Sequence, residues 1–289
     1  MKRNYILTLI FIILSLVCFG LEWNAVKKTS SLLVRMQALH YTSNPEQRLD
    51  KLKRSLELNP EDGLTRLYLA GTLMAMRQYE KAQENSVEAL QTYQSVTAFE
   101  QLGSIDISLG KLREARKKFS KICRLYPGNE DARFRLIALD YSLENMESAR
   151  ENLNFIMKHS PGNPNNYYYL GLLYMHEKRS SEAMDEFRKL LRLLSGPSTK
   201  LLFPLDDLYY RMAVIETERE SYASAEDLVK KALALNQSVY YLKQLSDIYK
   251  RQGDSKKAQA VLVNGLQRHP GSEILRTALS ELQKEREDQ

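Results

Sequence analysis

Residues 164–197 read PNNYYYLGLLYMHEKRSSEAMDEFRKLLRLLSGP. Tyr167, Leu170, Gly171 and Tyr174 stand at i, i+3, i+4 and i+7, and Ala183, Phe187 and Leu190 at i, i+4 and i+7. Apolar residues at these intervals share one side of a helix. Two amphipathic helices are predicted, joined near Glu177-Lys178-Arg179-Ser180.

The pattern recurs. Segments starting at Gly63, Val96, Glu130, Pro164, Asp206 and Val239 carry Ala at their twentieth position: Ala82, Ala115, Ala149, Ala183, Ala225 and Ala258. Successive alanines are 33, 34, 34, 42 and 33 residues apart. Thirteen residues before each Ala stands Leu69, Leu102, Leu136, Leu170, Met212 or Leu245. The next residue is small in five segments (Ala70, Gly103, Gly171, Ala213 and Ser246) and Ile137 in the other. Small residues are expected where two helices cross, because a larger side chain pushes the axes apart. Pro127, Pro161 and Pro270, with Pro60 ahead of the first segment, fall where one helix stops and the next starts.

A period near 34 with L-(G/A) in a first helix and Ala in a second resembles the tetratricopeptide repeat family. The segment with Phe99, Leu102, Gly103, Ala115, Phe119, Ile122 and Pro127 is the fullest match. The resemblance implies an all-α chain, a right-handed α-solenoid of six to seven helix hairpins. Its repeats would be 63–95, 96–129, 130–163, 164–197, 206–238 and 239–272, with 198–205 an insertion loop. Residues 29–62 read as a degenerate unit, with Arg48 where Ala is expected, and 273–289 as a capping helix and tail. A polar terminal helix covers the apolar face that a last repeat would expose.

Composition agrees with a helical reading. The 289 residues include only 12 Gly and 8 Pro, too few for the tight turns of a strand-rich sandwich or barrel. The net charge of +6 is mild, and the sequence shows no Lys/Arg block dense enough for a phosphate-binding surface. Cys18 and Cys123 cannot build a disulfide framework or a thiolate metal site. His40, His159, His176 and His269 include no pair three or four residues apart, so no helical metal pair is expected.

Residues 1–4 precede an uncharged run, Tyr5 to Leu21, of 17 residues. At about 1.5 Å per residue it reaches roughly 25 Å, near the lower limit for a bilayer. It reads as an uncleaved transmembrane signal-anchor, with 1–4 cytoplasmic and the remainder across a bacterial inner membrane in the periplasm. The alternative is a cleaved signal and a soluble secreted or periplasmic protein; Cys18-Phe19-Gly20 is its best cleavage pattern, and a poor one.

No nucleophile-base arrangement and no phosphate-cradling Gly-rich loop can be assembled, so no catalytic residue, cofactor or metal is assigned and no enzyme is expected. The family resemblance implies a groove lined by first-helix side chains. Read onto this sequence they include Leu64, Leu67, Met74, Phe134, Ala138, Tyr141, Tyr168, Leu172, Met175, Tyr210, Val214, Tyr240 and Lys243. Leu67, Phe134, Tyr141, Tyr168, Met175, Tyr210, Tyr240 and Lys243 are the candidate partner-binding residues. Such a lining suits an amphipathic helix or an apolar peptide. Family members that clamp an acidic C-terminus use Lys and Asn, where this chain has Leu67, Gly71, Glu100 and Ser104. The expected role is a membrane-tethered scaffold for a partner protein in an envelope complex, binding no nucleic acid. Alternatives are a cytoplasmic-facing client-recruiting adaptor and an accessory subunit of an enzyme complex. Asp206-Asp207 reads as solvated charges or a helix cap.

Overall fold

The computed structural model describes the backbone of residues 2–40, 43–194 and 200–287, and their side chains apart from 2–16 and 286–287. Among the described residues there are fifteen α-helices and no strand. They fall into two compact units, 1–143 and 144–289.

The first unit holds α1 (Lys2–His40), α2 (Pro45–Leu58), α3 (Gly63–Ala75), α4 (Tyr79–Thr92), α5 (Val96–Ser108), α6 (Leu112–Leu125) and α7 (Glu130–Ser142). Side-chain caps set several starts. Asn44 accepts from the amides of Glu46 and Gln47 (2.8 and 3.3 Å), with Pro45 opening α2. Asp62, Ser95 and Asn129 do the same for Thr65, Ala98 and Ala132. α1 lies on α2 through a reciprocal pair: Ser31 and Ser55, both fully buried, each donate to the other's carbonyl at 2.8 Å. Two small hydroxyl side chains let these helices approach closely while leaving no polar atom unmet.

The second unit holds α8 (Met146–His159), α9 (Pro164–His176), α10 (Ser180–Leu193), α11 (Leu205–Glu218), α12 (Tyr222–Leu235), α13 (Val239–Arg251), α14 (Ser255–Arg268) and α15 (Glu273–Glu287). α9 pairs with α10, α11 with α12 and α13 with α14, and α15 packs on α13 and α14. One of its cores runs from Ala213 and Val229 through Leu245 and Ile248 to Leu275 and Leu282.

The six alanines of the sequence pattern are all fully buried. Gly103 and Gly171 lie against the rings of Phe119 and Phe187, where a Cβ would collide. Five residues before each Ala is a residue with left-handed backbone: Arg77, Gly110, Glu144, Lys178, Glu220 and Gly253, with φ of 59–79°. The turn after α3 shows why. The Arg77 amide donates to Met74 O (3.0 Å) and the Gln78 amide to Leu73 O (2.9 Å), which closes the helix end and reverses the chain. Only two of these six residues are glycine.

The membrane anchor placed at 5–21 is corrected. α1 continues unbroken from Lys2 to His40, and its described part carries Glu22, Lys27, Lys28 and Arg35. Among the described residues no helix is long and apolar enough to cross a membrane, so a single-pass inner-membrane protein is not upheld. The side chains of 5–16, in which most of that reading lay, are outside the described residues.

Candidate partner-binding face

The candidate residues divide between the units. In the first, Leu67 and Phe134 are buried, Leu67 against Ala89 and Ala98, and Tyr141 is half-buried. In the second, Tyr168 is buried, Met175, Tyr210 and Lys243 are half-buried, and Tyr240 is 59% exposed. Among these eight, Tyr240 offers by far the most accessible aromatic surface.

Tyr168 owes its burial to residues 200–204. The ring of Phe203 stacks on it, with centroids 4.0 Å apart and planes 5° from parallel. The Leu202 amide donates to Asn165 Oδ1 (2.8 Å), Asn165 Nδ2 donates to Lys200 O (3.1 Å), and the Tyr169 hydroxyl reaches Leu202 O (3.3 Å). The last part of the insertion is thereby fastened to the start of α9. Residues 195–199 lie outside the described residues.

Below the stacked rings, the Tyr168 hydroxyl donates to Asp207 Oδ2, which also accepts from Arg211 Nε (3.1 Å). Burial, with the Asp207 charge beside it, pushes the Tyr168 phenol far above the usual tyrosine range. Asp206 accepts from the Tyr241 hydroxyl and from Asn236 Nδ2, both at 2.9 Å. Burial and that bond push the Tyr241 phenol upward too. Both carboxylates sit in the first turn of α11, where the helix dipole favours negative charge. Asp206-Asp207 is therefore a pair of tyrosine acceptors rather than two solvated charges. The sequence held no local signal for this, because the donors are 35 and 39 residues away.

Beside this network the half-buried and exposed side chains include Tyr210, Tyr240, Arg211 and Lys243. Tyr210 packs on Tyr241 (5.0 Å between centroids), the Arg211 guanidinium lies 5.9 Å from the Tyr210 centroid, and Lys243 bonds Asp247 at 2.7 Å. Among the described residues no group of three or more His, Cys, Asp or Glu is placed to hold a metal.

These paired helices define the class. Residues 164–193 match the family model described as tetratricopeptide repeat. The chain is similar to a tetratricopeptide repeat protein from Parabacteroides merdae at 13% identity, over 89% of this chain and 99% of that one, with a TM-score of 0.73. It is also similar to a chain of the APC/C hetero-tetramer Cut9-Hcn1 (16% identity, 81% of this chain and 46% of that one, TM-score 0.70) and to yeast Tom70 (15%, 90% and 54%, TM-score 0.58). It thus spans about half the length of those two. No curated protein matches the sequence. The fold is that of tetratricopeptide-repeat proteins.

Proposed function

We propose that this chain is a protein-interaction scaffold, and that its second unit takes an apolar or amphipathic segment of a partner protein across Tyr210, Tyr240 and Lys243. The carrying observation is Tyr240, a large aromatic 59% exposed, next in sequence to the buried Tyr241 on which the half-buried Tyr210 packs. Tyrosine supplies contact area at low entropy cost and a hydroxyl for orientation, which is why it concentrates at interfaces. The tyrosine–carboxylate bonds beneath hold the platform in one geometry, so little ordering remains to be done on binding. The fold supports the reading, and one structural neighbour is a chain of a hetero-tetramer.

Crosslinking with mass spectrometry would identify the partner, and titration of the full chain would give its affinity. Tyr240→Asp with Lys243→Glu should weaken binding about tenfold or more while helical circular dichroism is unchanged. Unchanged affinity overturns the proposal. Tyr168 cannot serve in this test: it is buried, and a charge placed there would disturb the fold.

A further inference from the structure

We propose that the outer stripe of α6 is a second docking surface, for an acidic segment of a partner protein. This 14-residue helix carries six basic side chains against one acidic, so a net +5 of the chain's formal +6 sits on it. Its inner side is fixed by Ala115, Phe119 and Ile122, all fully buried. At about 100° per residue, Arg113, Lys117, Lys121 and Arg124 fall within an arc of roughly 80° on the opposite side, along about 16 Å of helix. Arg113, Lys117 and Arg124 are exposed, and the Lys121 ammonium lies 4.3 Å from the Phe99 ring centroid.

Asp140 and Asp106 are engaged elsewhere, and Glu114 offsets one charge of the stripe. Asp140 takes Arg116, Asp106 is buried and accepts from Gln83, and Glu114 pairs only with Lys117, at 2.8 Å. Arg113 and Arg124 form no ion pair among the described residues. At the C-terminal end of the stripe Leu125 and Tyr126 are 58% and 51% exposed, giving an apolar contact beside the cations.

The patch is narrow. On α4, linked to the start of α6 by Lys111 Nζ to Gln83 Oε1 (2.6 Å), Glu80 and Glu84 are exposed. A nucleic-acid backbone lying across both helices would meet these carboxylates. A single segment with glutamates or aspartates about one turn apart and an apolar residue at one end meets only α6. Individual exposed pairs contribute little, so the contact is weak, additive and sensitive to salt.

Fluorescence anisotropy with the full chain tests this. The probe is a labelled 16-residue peptide with glutamates at helical intervals and leucine near one end. Controls are the same peptide with glutamine for glutamate, and a labelled 20-nucleotide oligo-dT. The glutamate peptide should bind, with Kd rising about tenfold between 50 and 500 mM salt. The glutamine peptide, and the double variant Arg113→Glu with Arg124→Glu, should each weaken binding about tenfold, with circular dichroism unchanged. Lys256→Glu, an exposed cation of the second unit, should leave it unaltered. No preference for glutamate over glutamine, indifference to the double variant, or tighter binding of oligo-dT would overturn the proposal.

Discussion

A Cβ on Gly103 would stand 2.7 Å from Cε2 of Phe119, whose ring is fully buried between α5 and α6. Gly103→Ala must therefore move a packed ring. Overpacking costs about 1–3 kcal/mol, which exceeds the roughly 1 kcal/mol that Ala gains over Gly in a helix. Thermal unfolding should show a lower Tm. Gly71→Ala is the milder contrast: its nearest neighbour is the Gln101 amide at 3.2 Å, which donates to Leu67 O at 3.0 Å and need shift only a few tenths of an ångström, so contact and propensity offset and Tm should change little.

The turn residues test backbone alone. Gly110 has φ of +70° and nothing within 4 Å of a would-be Cβ. Gly110→Ala should cost about 1 kcal/mol by conformation only. Arg77→Gly, at the equivalent turn, should leave chemical stability unchanged or slightly higher, since it relieves a φ of 59°. Urea unfolding of both variants checks the pair; a destabilised Arg77→Gly with an unaffected Gly110→Ala would contradict it.

Tyr168 makes stability fall at alkaline pH. Its folded phenol titrates far above an unfolded tyrosine, so its contribution is complete below about pH 10 and declines as the unfolded phenol ionises. The loss from this one group approaches about 1.4 kcal/mol per pH unit. Tyr168→Phe should lose about 1–2 kcal/mol near neutrality, Asp207 keeping Arg211, and then show a shallower alkaline decline than wild type. Parallel declines in urea titrations at pH 9–11 would refute the assignment.

Ser31 and Ser55 hold α1 to α2. Ser31→Ala removes the bond that its hydroxyl donates to the Ser55 carbonyl, while Ser55 still donates to the carbonyl of residue 31, and should cost about 1 kcal/mol. Ser31→Leu should instead part the helices. Hydrogen exchange at residues 25–40 should rise modestly in the first variant and strongly in the second.

Arg116 meets Asp140, whose side chain is fully buried. Arg116→Met should cost about 2–3 kcal/mol, because a buried carboxylate loses a charged partner. Lys231→Ala, which breaks an exposed pair with Asp227, should give no measurable change in Tm.

The all-α class was legible because its signals are local. Ala183, Phe187 and Leu190 declare a helical face by spacing, and a small residue such as Gly103 marks a crossing whatever the partner ring is. The left-handed turns were not legible. Arg77, Glu144, Lys178 and Glu220 pass as ordinary polar residues, since the hydrogen-bonded helix end, rather than a glycine, holds them there.

By itself, then, the sequence determined helices, their order and their apolar faces, since periodicity is a property of neighbouring residues. Only the tertiary structure decided which tyrosines reach solvent. Tyr168 and Tyr240 look alike as first-helix aromatics, yet Phe203 and Asp207 close over one while the other stays exposed. The same holds for α6. Its lysines and arginines are visible in the chain, but the burial of Phe119 and Ile122 fixes which of them share the outer side. Exposure depends on what distant residues cover, and no local spacing encodes that.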